Sequence, residues 1–484
     1  MNASILSLIP AIFSVLIYLL GTLKIEGSVR AKFRLPLIIE AKILYSLGVF
    51  LPMMLLPVVK GGVVGGYPKT LGIEVGVDRI SLIFLIAEFA VFGTSSLYFL
   101  DKAKEWRELT LLLLVHSGLI GAFISKDLFN FYVFMELSSV SSYALIASSR
   151  EEGSKEAAFK YLILSMTASY IFILSLGMIY FQTGYLNVEL ASKAGLKSET
   201  PLRLAALALT LKAGIFPLHI WLPDAHSKAK THVSSILSGI AVKAPIYGLI
   251  LLSKFGDLSF LKLLAISSMI FGVVMAILQV DAKRLLAYHT VSQMGYVLLG
   301  IANSNLLAAA LYSFAHATFK SGLFLAIGSL VDARKKRDLK YLGARDNLAL
   351  LISVAILSLA IAGFGPTIGG VAKSFLKEDK LIVYAVSFGT AFSFSKLNYY
   401  LWTGYGNNPS FKRIFPSLIL MTIVILSGIM LGGKASIFDL LIPGAAFLFY
   451  GSRKLLKERE YAVILDVNEG IALFSLLLAT FLVI

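Results

Sequence analysis

The chain has 484 residues, 57% of them hydrophobic and only 15% charged, with a formal net charge of +16. That is too apolar for a soluble protein of this length, and apolar runs of about 20 residues recur from end to end, which points to a polytopic α-helical membrane protein and not a β-barrel. Cysteine is absent, which excludes disulfides, thiolate iron–sulfur ligation and a thiol nucleophile, so any redox chemistry belongs to a partner.

Taken in order, 16 spans are predicted: 2–23, 35–59, 78–100, 108–125, 128–148, 157–181, 203–221, 233–253, 260–279, 285–302, 305–331, 347–375, 381–403, 414–432, 437–452 and 461–484. The first is too long for a cleavable signal peptide and lacks a basic start. The Gly61, Gly62, Gly65, Gly66 stretch is a surface loop and no phosphate cradle, since no GK[ST] helix follows. Basic residues concentrate in alternate loops, such as Lys102 with Lys104 and Arg107, and Arg334 to Arg337. Those loops are placed in the cytoplasm, which puts both termini outside the cell membrane. The positive charge is thereby explained by topology and not by nucleic acid. The six histidines have no metal-ligand spacing, and no cofactor is expected.

Ionisable residues inside predicted spans are the second signal. They are Glu88, His116, Glu136, Lys212, Lys243, His316, Lys320, Lys373 and Lys396. A charge at the middle of a bilayer costs about 2.5–3.5 kcal/mol on insertion scales, so such residues usually face a bundle interior. Each has a bland reading as well: a core histidine at His116, or a snorkelling stem at Lys320. Together they are too many to be neutral. His316 and Lys320 share a helix face, and Glu136 is the natural counter-ion for one lysine.

Two spans are interrupted. Pro217 follows Lys212 in span 7, and Gly363, Gly365, Pro366, Gly369 and Gly370 precede Lys373 in span 12. Five spans separate the two, so they run in opposite directions, as inverted repeats on broken helices require. Lys243 on span 8 then corresponds to Lys396 on span 13. Lys396 is therefore expected to point inward, towards span 12 and Lys373.

DLFNFYVFMELSSVSSYALIAS at 127–148, PLHIWLPDAH at 217–226, SGIAVK at 238–243, DAKRLLAYHTVSQMGY at 281–296, HATFKSGLFLAIG at 316–328 and GFGPTIGGVAK at 363–373 follow one another in unbroken order. This series resembles the antiporter-like subunits shared by respiratory complex I, the Mrp cation/proton antiporters and membrane-bound hydrogenases. GYPKTLGIEVGVDRIS at 66–81 and FQTGYLN at 181–187 point to the Mrp D type. The resemblance implies an all-α core of 14 helices with two inverted five-helix repeats. The corresponding units are 1–107, 108–254, 255–403 and 404–484, the last holding a C-terminal pair of helices beyond the core. It implies proton translocation through Glu136, Lys212, Lys243, His316 and Lys373, to which the sequence adds Lys320 and Lys396. Glu88, His116, His219, Asp224 and His226 are further candidates. Departures include Lys230, where the family usually has proline, and His289 in place of a small polar residue. The implied partners are other membrane subunits, related antiporter-like subunits among them. A hydrogenase, a sulfur-reducing module and a cation antiporter assembly all stay open as partners, and so does the ion, H+ or Na+. Action as a freestanding antiporter and a non-conducting scaffold are the competing readings.

Overall fold

The computed structural model describes residues 1–26, 34–435, 441, 444 and 467–483. It is mostly helical, because in lipid every backbone N–H and C=O must be satisfied within its own segment. The N-terminal helices are α1 (Ile5–Glu26), α2 (Arg34–Leu55) and α3 (Arg79–Phe99). Then come α4 (Trp106–Ile124), α5 (Leu128–Ala147), α6 (Ser154–Thr183) and the short α7 (Val188–Ala194). Aspartates start several spans by accepting otherwise orphaned N–H groups. Asp78 takes Ser81 N at 2.8 Å, and Asp127 takes Phe129 N and Asn130 N, both at 2.9 Å.

The chain then breaks. α8 (Thr200–Lys212) stops at Lys212, residues 213–220 are unwound, and α9 (Trp221–Lys228) follows. Gly214 supplies a φ of +69° at the break, and Pro217 has no N–H to continue a helix. Ala229 and Lys230 link to α10 (Thr231–Ile236), which runs through one π-helical turn, Leu237–Ala241, into α11 (Lys243–Leu252). Next come α12 (Lys262–Leu278), α13 (Ala282–Ala302) and α14 (Leu306–Arg334). A second interruption separates α15 (Leu348–Ala362) from α16 (Ile368–Ser374), with Gly363 at a φ of +103°. α17 (Lys380–Thr403), α18 (Phe411–Met430) and α19 (Val467–Val483) complete the helices described.

Among the described residues, 10 helical stretches are long and apolar enough to cross a membrane. α5 and α17 are long enough but carry more polar side chains, and α15 is short because its span is interrupted. Most of the predicted span at 437–452 lies outside the described residues, and so does the start of the one at 461–484. α19, the described part of the latter, packs on α6 and α8. Glycines let the central helices approach closely: Gly118 on α4 lies against Ser138 of α5, and Gly272 on α12 against the Ser292 backbone of α13.

The loops fall on two faces. On one, strand β1 (Gly62–Val63) pairs antiparallel with β2 (Glu74–Val75), Val75 bridges Ser125, Asp127 bridges Asn187, and Asn303 donates to Asp379. On the other, Asp281 bridges Asp338, Arg337 meets Glu151 at 2.6 Å, and Arg345 lies over Tyr405. These two groups match the basic-poor and basic-rich loops of the sequence.

Candidate functional site

The site is a row of buried lysines running between α5 and α17. At one end Lys212, the last residue of α8, places its ammonium 2.8 Å from Glu136 Oε1 on α5. It also donates to Ser165 Oγ at 2.9 Å, while Ser169 Oγ donates to Glu136 Oε1 at 2.7 Å. The break after Lys212 is pinned from behind. Trp221 Nε1 donates to Leu211 O at 3.0 Å, and the Trp221 ring stacks on Tyr161 at 4.1 Å.

Lys243 follows, fully buried at the start of α11. It donates to Ser238 O at 2.6 Å and meets His316 Nδ1 on α14. A proton can sit on either nitrogen of that Lys243–His316 contact, and the other ring nitrogen, Nε2, is buried with no partner among the described residues. One turn along α14, Lys320 donates to Leu286 O of α13 and lies 5.0 Å from the centre of the Phe324 ring. His289 on α13 bonds Ser393 Oγ of α17 at 2.9 Å.

At the far end, Lys373 on α16 donates to Ile361 O at 2.9 Å, Ala362 O at 3.1 Å and Ser387 Oγ at 2.8 Å. The two carbonyls are the unpaired ones at the C-terminus of α15, where helix geometry leaves acceptors free and favours a cation. The Lys373 stem passes so close to Gly363 that any side chain there would collide with it. The Lys373 ammonium also lies 4.7 Å from the centre of the Tyr296 ring.

The set has one chemical asymmetry. Glu136 supplies a carboxylate to Lys212, whereas no described carboxylate comes within ion-pair distance of Lys243, Lys320 or Lys373. Those three are held by carbonyls, a hydroxyl and an imidazole, all neutral. Neutral acceptors can hold an amine in either protonation state, so the row can gain and lose protons without breaking ion pairs at each step.

Other candidates land elsewhere. Lys396 is interior, 3% exposed, but donates to Ile277 O at 3.2 Å and Gln279 O at 2.8 Å, at the C-terminus of α12. Its expected direction, towards span 12 and Lys373, is thus replaced by one towards span 9. Ser387, which holds Lys373, is nine residues back along α17, about 14 Å at helical rise. Glu88 and His116 pair with each other at 2.5 Å, both fully buried. Asp224 binds Lys160 at 2.8 Å and Arg284 at 3.4 Å. His219 packs edge-on to Phe271, and His226 is buried with neither ring nitrogen partnered among the described residues. No cluster of three or more metal-ligating groups occurs among the described residues.

Sequence reasoning missed the serines around Glu136 and Lys212, and Ser387 with Tyr296 beside Lys373; hydroxyls are common in spans and give no local signal. It also missed Glu108, which accepts from Lys230 and His232. Lys230 standing at a proline position was the available sign.

Residues 125–396 match the family described as NADH:quinone oxidoreductase/Mrp antiporter, TM. The N-type subunit of the NADH-quinone oxidoreductase of Desulforudis audaxviator is 34% identical over 342 residues, covering 65% of this chain and 68% of that protein. The D-type subunit of the Na(+)/H(+) antiporter of Alkalihalophilus pseudofirmus is 30% identical over 351 residues, 67% and 70% of the two chains. In fold, a chain of the Mrp complex from Dietzia sp. superposes with a TM-score of 0.75 at 22% identity, covering 92% of this chain and 96% of that one. A chain of the membrane-bound sulfane sulfur reductase, an archaeal respiratory membrane complex, gives 0.72 at 22% identity, covering 97% and 99%.

Proposed function

The chain belongs to the NADH:quinone oxidoreductase/Mrp antiporter transmembrane family, and we propose that it carries protons through a multisubunit membrane complex along its buried lysines. The observation behind this reading is the single carboxylate–lysine contact, Glu136 with Lys212, at the end of a row of lysines held by neutral groups. A lysine's proton affinity falls when it is desolvated and rises beside a carboxylate. Moving Glu136 away from Lys212 therefore favours release of the Lys212 proton, and its return favours reloading. Protons pass in this reading along Lys243, His316, Lys320 and Lys373, gated by the Glu136–Lys212 pair.

The relay is arranged as two inverted five-helix repeats, 108–254 and 255–403. In support, α8 and α15 both end at an unwound segment beside a relay lysine. Lys396 holds α12 and α17 together and lies outside the relay. The basic-rich loop face is cytoplasmic, and both termini lie outside. The complex couples the relay to a redox module, as the name of the sulfane sulfur reductase, one chain of which shares this fold, suggests, or to Na+ exchange, as the name of the A. pseudofirmus relative suggests. Na+ itself does not follow this row, because ammonium groups repel a metal cation and one carboxylate is too few to replace its hydration.

The test is proton uptake by membrane vesicles holding the native complex. Lys212→Ala, in complexes shown to be assembled, is expected to stop uptake; wild-type uptake by that variant would remove the relay reading.

A further inference from the structure

A second ionisable cluster lies away from the lysine row, on the basic-rich loop face. Glu108, in the first turn of α4, receives the Lys230 ammonium at 2.9 Å on each carboxylate oxygen. His232 Nε2 meets Glu108 Oε1 at 3.0 Å, and the imidazole is stacked on Phe99 at 4.2 Å. Glu108 and His232 are nearly enclosed, while the Lys230 side chain is 31% exposed and reaches the surface. Lys230 lies in the link between α9 and α10 and His232 in the first turn of α10, so the cluster sits at the mouth of the helix that leads to Lys243.

Hydroxyl groups line that helix inward. One turn beyond His232, Ser235 Oγ meets Ser95 Oγ at 3.0 Å, and Ser321 Oγ donates to Ser235 O at 3.0 Å. A turn further, Ser238 Oγ meets Thr290 Oγ1 at 2.7 Å, and the Ser238 carbonyl holds the Lys243 ammonium. All five hydroxyl residues are fully buried. Buried serines can serve helix packing alone, but packing gives no reason for an enclosed carboxylate and imidazole at the head of the row.

We propose that Glu108 and His232 form a proton-loading station, with Lys230 as its fixed counter-charge, and that the hydroxyl row leads from it to Lys243. This rests on the relay reading, since Lys243 is the acceptor. A proton from bulk solvent is taken onto the His232 imidazole, whose cation Glu108 stabilises. Water between the hydroxyl pairs completes the row: each water and hydroxyl in turn accepts one proton and passes on its own, and the last hands its proton to the neutral amine of Lys243. His232 returns to its neutral form, and one positive charge has moved inward.

The groups facing the station are Lys230 on the link, Asp332 on α14, Lys283 on α13 and Tyr45 on α2, whose OH meets Ser96 Oγ at 2.8 Å. Asp332 is itself held by Tyr98 OH at 2.8 Å and Thr231 Oγ1 at 3.0 Å, and Lys283 donates to Ala229 O at 2.9 Å. Arg413 on α18 lies over the Tyr98 ring and pairs with Asp101 at 3.5 Å.

The experiment measures initial proton uptake against pH in vesicles holding the full complex, with Glu108→Gln, His232→Gln, Ser235→Ala, Glu108→Asp and Lys212→Ala. Glu108→Gln and His232→Gln are expected to slow uptake about tenfold and to change the pH profile, which a purely structural loss would only scale. Ser235→Ala breaks the row without touching the charges and is expected to slow uptake severalfold; it decides the matter where a charge variant fails to assemble. Glu108→Asp should recover most of the rate. Wild-type rate and pH profile in both Glu108→Gln and Ser235→Ala, beside an inactive Lys212→Ala, would overturn the loading station alone. Normal uptake by Lys212→Ala would instead overturn the relay reading beneath it.

Discussion

The Lys243 ammonium reaches back to the Ser238 carbonyl, 2.6 Å away, because the turn between them is wound as a π-helix. In a regular α-helix that carbonyl would accept from the N–H of Val242. Here the Val242 N–H bonds Leu237 O at 3.3 Å, and Ser238 O is left for a side chain. One extra residue in the turn thus creates the acceptor that holds a buried cation where no carboxylate is at hand.

Gly239 is the tight point of that turn, since a Cβ there would run into Ser321 Oγ and the Val91 methyls. Gly239→Ala is therefore expected to destabilise the protein by about 1–3 kcal/mol, the usual cost of overpacking. Adding Ser321→Gly should return part of that loss. Thermal unfolding of the two variants checks this. Equal destabilisation with and without Ser321→Gly would mean that the strain lies in the backbone and not in the contact.

The Glu136–Lys212 pair separates stability from transport. Removing one partner of a buried pair costs about 3–5 kcal/mol, because the other is left as an uncompensated charge. Glu136 keeps 16% side-chain exposure, so Lys212→Met should cost less than that range and Glu136→Gln should cost towards its upper end. The double variant Glu136→Gln/Lys212→Met is expected to be more stable than Glu136→Gln alone, yet to carry no protons. Denaturation midpoints and vesicle uptake on the same preparations report the two effects, and a stable double variant that still pumps would contradict the pair's role.

Much of this was legible in the sequence for physical reasons. Long apolar runs fix the helices, and a lysine in such a run is rare enough to be noticed alone. Lys212, Lys243, His316 and Lys373 stand out in that way. The acceptors do not, because which carbonyl is free depends on where a helix ends or bulges. The seventh span was expected to break at Pro217, whereas α8 already stops five residues earlier, at Lys212. Nothing in the eighth span, 233–253, marked the π turn that sets the direction of Lys243. Glu108 read as the edge of a span, since nothing local ties it to Lys230 or His232, more than a hundred residues away.

Glu88 and His116 make a closed pair with a countable proton. His116 Nε2 faces the Val49 carbonyl at 3.3 Å, which can only accept, so Nε2 carries a hydrogen. One further proton is shared between Nδ1 and Glu88 Oε1, and the pair is neutral overall whichever atom holds it. Glu88→Leu or His116→Leu alone is expected to destabilise by about 3–5 kcal/mol, and the double replacement by clearly less than the sum. A double-mutant cycle on thermal or denaturant midpoints measures the coupling. Purely additive losses would show that the two groups are stabilised separately.

Lys396 and Lys373 give the sharpest contrast, since both are buried lysines on helix-end carbonyls in the second half of the chain. Lys373 draws on the end of α15 and also touches Ser387 and the Tyr296 ring, so its bonds join α13, α15, α16 and α17. Lys396 draws on Ile277 O and Gln279 O, next to the loop at Asp281 that bridges Asp338 on the basic-rich face. Its level along α17 is about 14 Å from that of Ser387, beyond direct exchange between the two ammonium groups. Its bonds instead satisfy the end of α12, and a cation at a helix C-terminus stabilises by up to about 2 kcal/mol when partly buried. Lys396→Met is accordingly expected to lower the thermal midpoint by a few degrees while proton uptake stays within about twofold of wild type. Lys373→Met in the same membranes should abolish uptake. Loss of uptake in an assembled, stable Lys396→Met complex would restore Lys396 to the relay and require a route between it and Lys373.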